Sequence, residues 1–159
     1  MSSFKGFAPL QTPADLVAKL EHDLSRMQAA PNNAFTAFDF FVTAEHMVDW
    51  LYPDSLEKNQ KEIRKALRQS SKLLKITSHL ANGAKHFHAC ASHHDSVADL
   101  EAVEGGFSTD SFDPRSFSPS SFQMCGLNVH LEDGSVVHTL SLAEDVLHYW
   151  QEKLAMKLA

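Results

Sequence analysis

Residues 34–51 constrain the fold more than any other stretch of this chain. Phe35, Phe38, Phe41, Val42, Met47, Val48 and Leu51 fall on most sides of a helix drawn through them. A helix that is apolar most of the way round has to be covered by neighbours, so it is central in a helical bundle. Asn32 or Asn33 offers it an N-cap, and the run stops at Tyr52-Pro53.

The flanking segments supply those neighbours. Thr12-Pro13 places a capping side chain before a proline at the first helical position. Leu16, Leu20, Leu24 and Met27 then recur at helical spacing until Pro31. After Pro53, Asp54 or Ser55 caps a further helical stretch that runs to about Cys90. Ile63, Leu67, Leu74, Ala81 and Ala84 keep their phase across Ser70-Ser71, so one long helix and two shorter ones fit equally well.

Residues 91–122 change character. Ser, Asp, Gly and Pro dominate, and neither a helical nor a strand period is visible. Phe107, Phe112, Phe117 and Phe122 punctuate the stretch at intervals of five. Met124, Leu127, Val129 and Leu131 then alternate with more polar residues. Asp133-Gly134 signals a hairpin, Val136 to Leu140 forms the returning strand, and Ser141 with Glu144 reads as a capping box for a last helix. A lone two-stranded hairpin is marginal in water and must pack on the helices. The predicted fold is mainly α, in one domain: a four-helix up-down bundle over residues 1–90, an irregular connection over 91–122, and a small β-hairpin plus final helix over 123–159.

The net charge of −6 is unevenly spread. Residues 1–90 carry 11 Lys and Arg against 9 Asp and Glu, whereas residues 91–159 carry 3 against 11. The whole chain is therefore no basic nucleic-acid binder, and any polyanion site has to be local to the first half. No apolar run approaches the roughly 20 residues of a membrane span. The start, Met1-Ser2-Ser3-Phe4-Lys5-Gly6, has no apolar core of a secretory signal. Cys90 and Cys125 match no zinc or redox spacing. These features point to the cytoplasm and away from membranes.

Polar residues form stripes on two of the helices. Asp39, His46 and Asp49 recur on the second, with Glu45 adjacent. His79, Asn82 and His86 recur at i, i+3 and i+7 on the fourth. Antiparallel packing would bring the stripes together. A histidine held by a carboxylate suits proton transfer; a satisfied structural network is the competing reading.

The stretch Leu80-Ala81-Asn82-Gly83-Ala84-Lys85-His86 resembles the motif of the HEPN superfamily, Arg-Asn-x-x-x-His on a helical bundle. Asn82 and His86 match, and Ala81 stands where the Arg belongs. In active members the resemblance implies metal-independent RNA cleavage across a dimer interface, with His86 in proton transfer and an Arg stabilising the developing charge. Glu45 and Asp49 resemble the family's acidic pair. Together with Ala44-Glu45-His46-Met47-Val48-Asp49-Trp50, the Asp-Gly hairpin and Tyr149-Trp150, the chain also looks like a group of uncharacterised bacterial and phage-associated proteins that tend to carry Ala at the Arg position. This resemblance implies a non-catalytic HEPN-like interaction module. A homodimer is expected, with a protein partner or RNA as what it contacts, and no cofactor.

Two further features bear on function. Lys58, Lys61, Lys65, Arg68, Lys72 and Lys75, with Arg64 alongside, recur every three or four residues. If the segment is helical throughout, they form one cationic face able to track phosphates. No aromatic residue interleaves them in sequence, so that face has no base-stacking platform of its own. His86, His88, Cys90, His93, His94 and Asp95 crowd into ten residues, as zinc ligands can, but at no standard spacing, and no metal is assigned. The expected alternatives to an interaction module are thus a metal-independent ribonuclease using His86, with Asn82, His79, His46 and Asp49 in support, and a metal-binding protein or hydrolase using the 86–95 cluster.

Overall fold

The computed structural model describes residues 6–53, 59–86, 95–103 and 125–158. The elements run α1 (Pro13–Ala29), α2 (Ala34–Leu51), α3 (Gln60–Gln69), α4 (Lys72–His86), β1 (Val97–Val103), β2 (Gly126–Leu131), β3 (Val136–His138) and α5 (Thr139–Leu158). The protein is mainly helical and carries a small antiparallel sheet in the order β1-β2-β3. None of the described helices is long and apolar enough to cross a membrane.

The helix starts follow local chemistry. Thr12 accepts the Asp15 N–H at 3.2 Å while the Asp15 carboxylate accepts the Thr12 N–H at 2.8 Å, a reciprocal capping box. Asn33 caps α2 by accepting the Phe35 N–H at 2.9 Å. The Asp54 or Ser55 cap falls outside the described residues; α3 begins at Gln60, after Asn59 at φ 105°. The helical stretch divides at Ser70-Ser71, where the Ser70 hydroxyl donates to the Leu67 carbonyl at 2.7 Å and Ser71 Oγ accepts the Leu74 N–H at 3.2 Å. Serines that bond the backbone locally end one helix and start the next.

α2 is central, as its sequence requires. It packs against α1, α4, α5 and α3. Phe40, Ala44 and Met47 are fully buried and Val48 nearly so. Its cover is nonetheless incomplete, because Phe35 and Phe38 stand 81% and 50% exposed. The core continues through Leu20 and Met27 of α1, Leu74 and Ile76 of α4, and Val146 and Trp150 of α5. α1 and α2 also share a polar contact. The buried Asp23 carboxylate is held by Lys19 and Arg26, Lys19 reaches Thr43 Oγ1 at 2.8 Å, and Arg26 reaches Asp39 at 2.9 Å.

The sheet corrects two expectations. The hairpin is the β2–β3 part of a three-stranded sheet, and the added strand, β1, lies in the stretch where no period was visible. The cause is exposure: Ala98 to Ala102 are all exposed, so neither face of β1 needed an apolar residue at every second position. β2 does alternate, with Leu127, Val129 and Leu131 inward. β1 pairs with β2 through a register shift between Val97 and Asp99, and Asp99 Oδ1 accepts the Leu100 N–H at 2.8 Å. In the turn, Gly134 takes φ 82° and its N–H bonds the Leu131 carbonyl, a conformation that favours glycine. α5 starts two residues before the Ser141 cap expected from sequence. The His138 ring does the capping, accepting the Leu140 N–H through Nδ1 at 3.3 Å. A side chain on Gly126 would overlap that ring.

The two faces of α2 predict contrasting variants. Phe40→Ala should cost about 3–5 kcal/mol in urea unfolding, as a deleted core aromatic does. Phe35→Ala should stay within about 0.5 kcal/mol of wild type. Equal losses would mean that Phe35 is covered in solution.

Candidate functional site

A cleft of about 840 Å³ opens between α2, α3 and α4. α2 supplies one wall with Phe38, Val42, Glu45, His46 and Asp49, α3 the other with Lys61, Arg64, Lys65, Arg68 and Gln69, and α4 closes it with Ser78, Ala81, Asn82 and Lys85. The α4 residues recur at i, i+3, i+4 and i+7, one helical face. The polar stripes of α2 and α4 therefore meet only in part, through His46, Asp49 and Asn82. Of the predicted site residues, the cleft gathers His46, Asp49, Asn82, Lys61, Lys65 and Arg68.

It leaves others out. Asn82 and His79 are about 60° apart around the helix axis at 100° per residue, enough to send them to different surfaces. His79 turns to the sheet, where Nδ1 accepts the Val97 N–H at 3.0 Å, and it lines a separate groove of about 400 Å³ with Phe41, Leu80, Val97 and Leu100. His86 is the exposed last residue of α4 and lines neither opening. Asp39 faces α1 through Arg26. Because the helix breaks at Ser70-Ser71, the cationic residues do not share one face. Lys72 pairs with Asp133 in the hairpin, Lys75 is half-buried away from the cleft, and Lys58 lies outside the described residues.

Inside the cleft the charges are ordered. Arg68 bonds Glu45 through Nε and reaches both Asp49 oxygens at 3.2 Å. Arg64 lies 3.3 Å from Asp49 and donates to the Tyr52 carbonyl at 2.8 Å. Burial, helped by the nearby Asp49 charge, pushes the Glu45 carboxyl up, against the lowering by Arg68 and the Ser78 hydroxyl. Burial alone would lower the Arg68 guanidinium, but Glu45 and Asp49 reverse this and leave it raised. Lys61, Lys65 and Lys85 make no ion pair among the described residues.

The Asn82 side chain is already engaged, donating to the Ser78 carbonyl one turn back at 2.8 Å. Ala81, at the motif's Arg position, is buried and presents only a methyl group. Sequence reasoning passed over Phe38, Ser78 and Lys85. The period-four pattern 78–82 with 81–85 was the available signal for the last two. It missed Phe38 because the aromatic side of the cleft comes from α2 and not from the basic helix.

Among the described residues no three His, Cys, Asp or Glu side chains gather as a metal set. His88, Cys90, His93 and His94 of the expected cluster lie outside the described residues. No family model, curated protein or solved structure matches the chain.

The raised Glu45 carboxyl gives a pH signature with a definite sign. It binds its proton more tightly folded than unfolded, so its stabilising contribution is complete below about pH 4.3 and is lost as pH rises through the folded value. In urea unfolding from about pH 4 to 7, wild-type stability minus that of Glu45→Gln should fall with rising pH, by less than about 1.4 kcal/mol per unit. A difference that rises would mean that the Arg68 charge outweighs burial.

Proposed function

We propose that this chain is a HEPN-like, non-catalytic interaction module that holds RNA in the α2–α3–α4 cleft and pairs with a second copy of itself. The four-helix up-down arrangement of such modules and an interface supplied largely by α4 are parts of the same proposal. The observation that carries the RNA reading is the trio Lys61, Lys65 and Lys85, lining one cleft from α3 and α4 without carboxylate partners among the described residues. Ammonium groups placed like this repel one another and are relieved by a bound polyanion. Arg64 and Arg68 are already neutralised in large part by Glu45 and Asp49, so the lysines carry the attraction.

The same geometry favours binding over cleavage. Proton transfer and charge stabilisation must converge on one phosphate. Here Asn82 is tied to its own helix, His79 to β1, and His86 stands outside the cleft.

Fluorescence anisotropy with a labelled RNA oligonucleotide tests the reading. The protein should bind with a salt-dependent Kd, and a Lys61, Lys65 and Lys85 triple alanine variant should lower the slope of log K against log salt by about 2 for single-stranded RNA. The RNA should stay intact in excess EDTA. Cleavage that persists in EDTA and disappears in His86→Ala would replace this reading with a metal-independent ribonuclease.

A further inference from the structure

The two walls of the cleft differ chemically, and the difference bears on which form of RNA fits. On α3, Lys61 and Lys65 offer charge to phosphates. On α2, Phe38, Val42 and His46 succeed one another at four-residue steps along one side of the helix. Arg64, between the two lysines, docks at Asp49, so Phe38 lies about 16 Å further along the α2 axis. Phe38 keeps half its surface in water, Val42 is partly exposed, and His46 is exposed with no hydrogen bond among the described residues. The aromatic platform that the basic helix lacks in its own sequence is supplied by its neighbour. Beneath both walls, Ala81 contributes only a methyl group, which leaves the cleft its depth.

A double helix satisfies only half of this surface. Its phosphates can reach Lys61 and Lys65, but its bases are stacked inside, and Phe38 and Val42 would face sugar and phosphate. An unpaired strand satisfies both walls, with a base on the Phe38 ring face and phosphates a few nucleotides along on the ammonium groups.

We infer that the cleft selects an unpaired strand, with one base stacked on Phe38 beside Val42 and phosphates a few nucleotides further along held by Lys65 and Lys61. This rests on the RNA reading above and adds the strandedness of the ligand and a residue that determines it. Selectivity comes from the α2 wall, and strand-independent affinity from the α3 wall.

The test compares a fluorescent 12-nucleotide single strand with a hairpin duplex of the same composition, using wild type, Phe38→Ala, Phe38→Tyr and Lys61→Ala with Lys65→Ala. Circular dichroism checks folding, which the exposure of Phe38 should spare. The single strand should bind more tightly than the duplex. Phe38→Ala should weaken single-strand binding about 5- to 100-fold and leave the duplex unchanged, and Phe38→Tyr should restore it. The double lysine variant should weaken both. A 2-aminopurine base in the single strand should lose fluorescence on binding wild type and keep it with Phe38→Ala. Equal affinity for both RNAs, unchanged by Phe38→Ala, would overturn this inference while leaving the RNA reading intact. No binding of either RNA by wild type would overturn both.

Discussion

Phe40, Ala44, Met47 and Val48 face different ways around α2, and all are sealed from water. No single neighbour can do that. α1, α4 and α5 each take one side, and the sheet is held by its β2 face against α5. Burying the apolar surface of these side chains is the main favourable term available to a domain of this size. α3 stands apart from this arrangement. It buries only Leu67, packs against α4 and α2, and sends Arg64 and Arg68 to Asp49, Glu45 and the carbonyl of Tyr52, the C-cap of α2. One wall of the cleft is thus fixed by the core, and the other adds ion pairs to a single buried side chain.

Those ion pairs shape the electrostatics of the cleft. Arg64 and Arg68 are positioned with their charges largely compensated, while Lys61 and Lys65, one helical step away, are not. Planar guanidinium groups suit the bidentate, partly buried contacts with Glu45 and Asp49, and compact, well hydrated ammonium groups suit the open rim. The division of labour follows burial: Arg64 and Arg68 are the inward-facing cations of α3 and the lysines the outward-facing ones.

The parts of the fold readable in the sequence were those with a local cause. Thr12, Asn33, the Asp133-Gly134 turn and the alternation of β2 each declare themselves within a few residues. β1 did not, because its exposure removes the alternation that marks a strand. The start of α5 did not, because a histidine in the preceding strand performs the capping. At the cleft, the polar stripes of α2 and α4 pointed to His46, Asp49 and Asn82 but not to where Asp39, His79 and His86 go. The parting of Asn82 from His79 depended on where the boundary between two packing surfaces falls, a tertiary property. Phe38 belongs to the same class: it read as core, and is a rim residue because no helix among the described residues covers that side of α2.

The outer edge of β1 has one more consequence. The register shift at Val97/Asp99 bends the strand, the Asp99 carboxylate occupies the Leu100 N–H, and Glu101 adds a second acid that its neighbour His130 meets at 2.9 Å. A strand approaching from solvent would meet a kinked backbone, an N–H already in use and two negative charges. Sheets without such devices recruit strands from other molecules. This edge therefore carries the devices that disfavour strand addition, beside a surface on which Phe35, Phe38 and Leu100 are exposed.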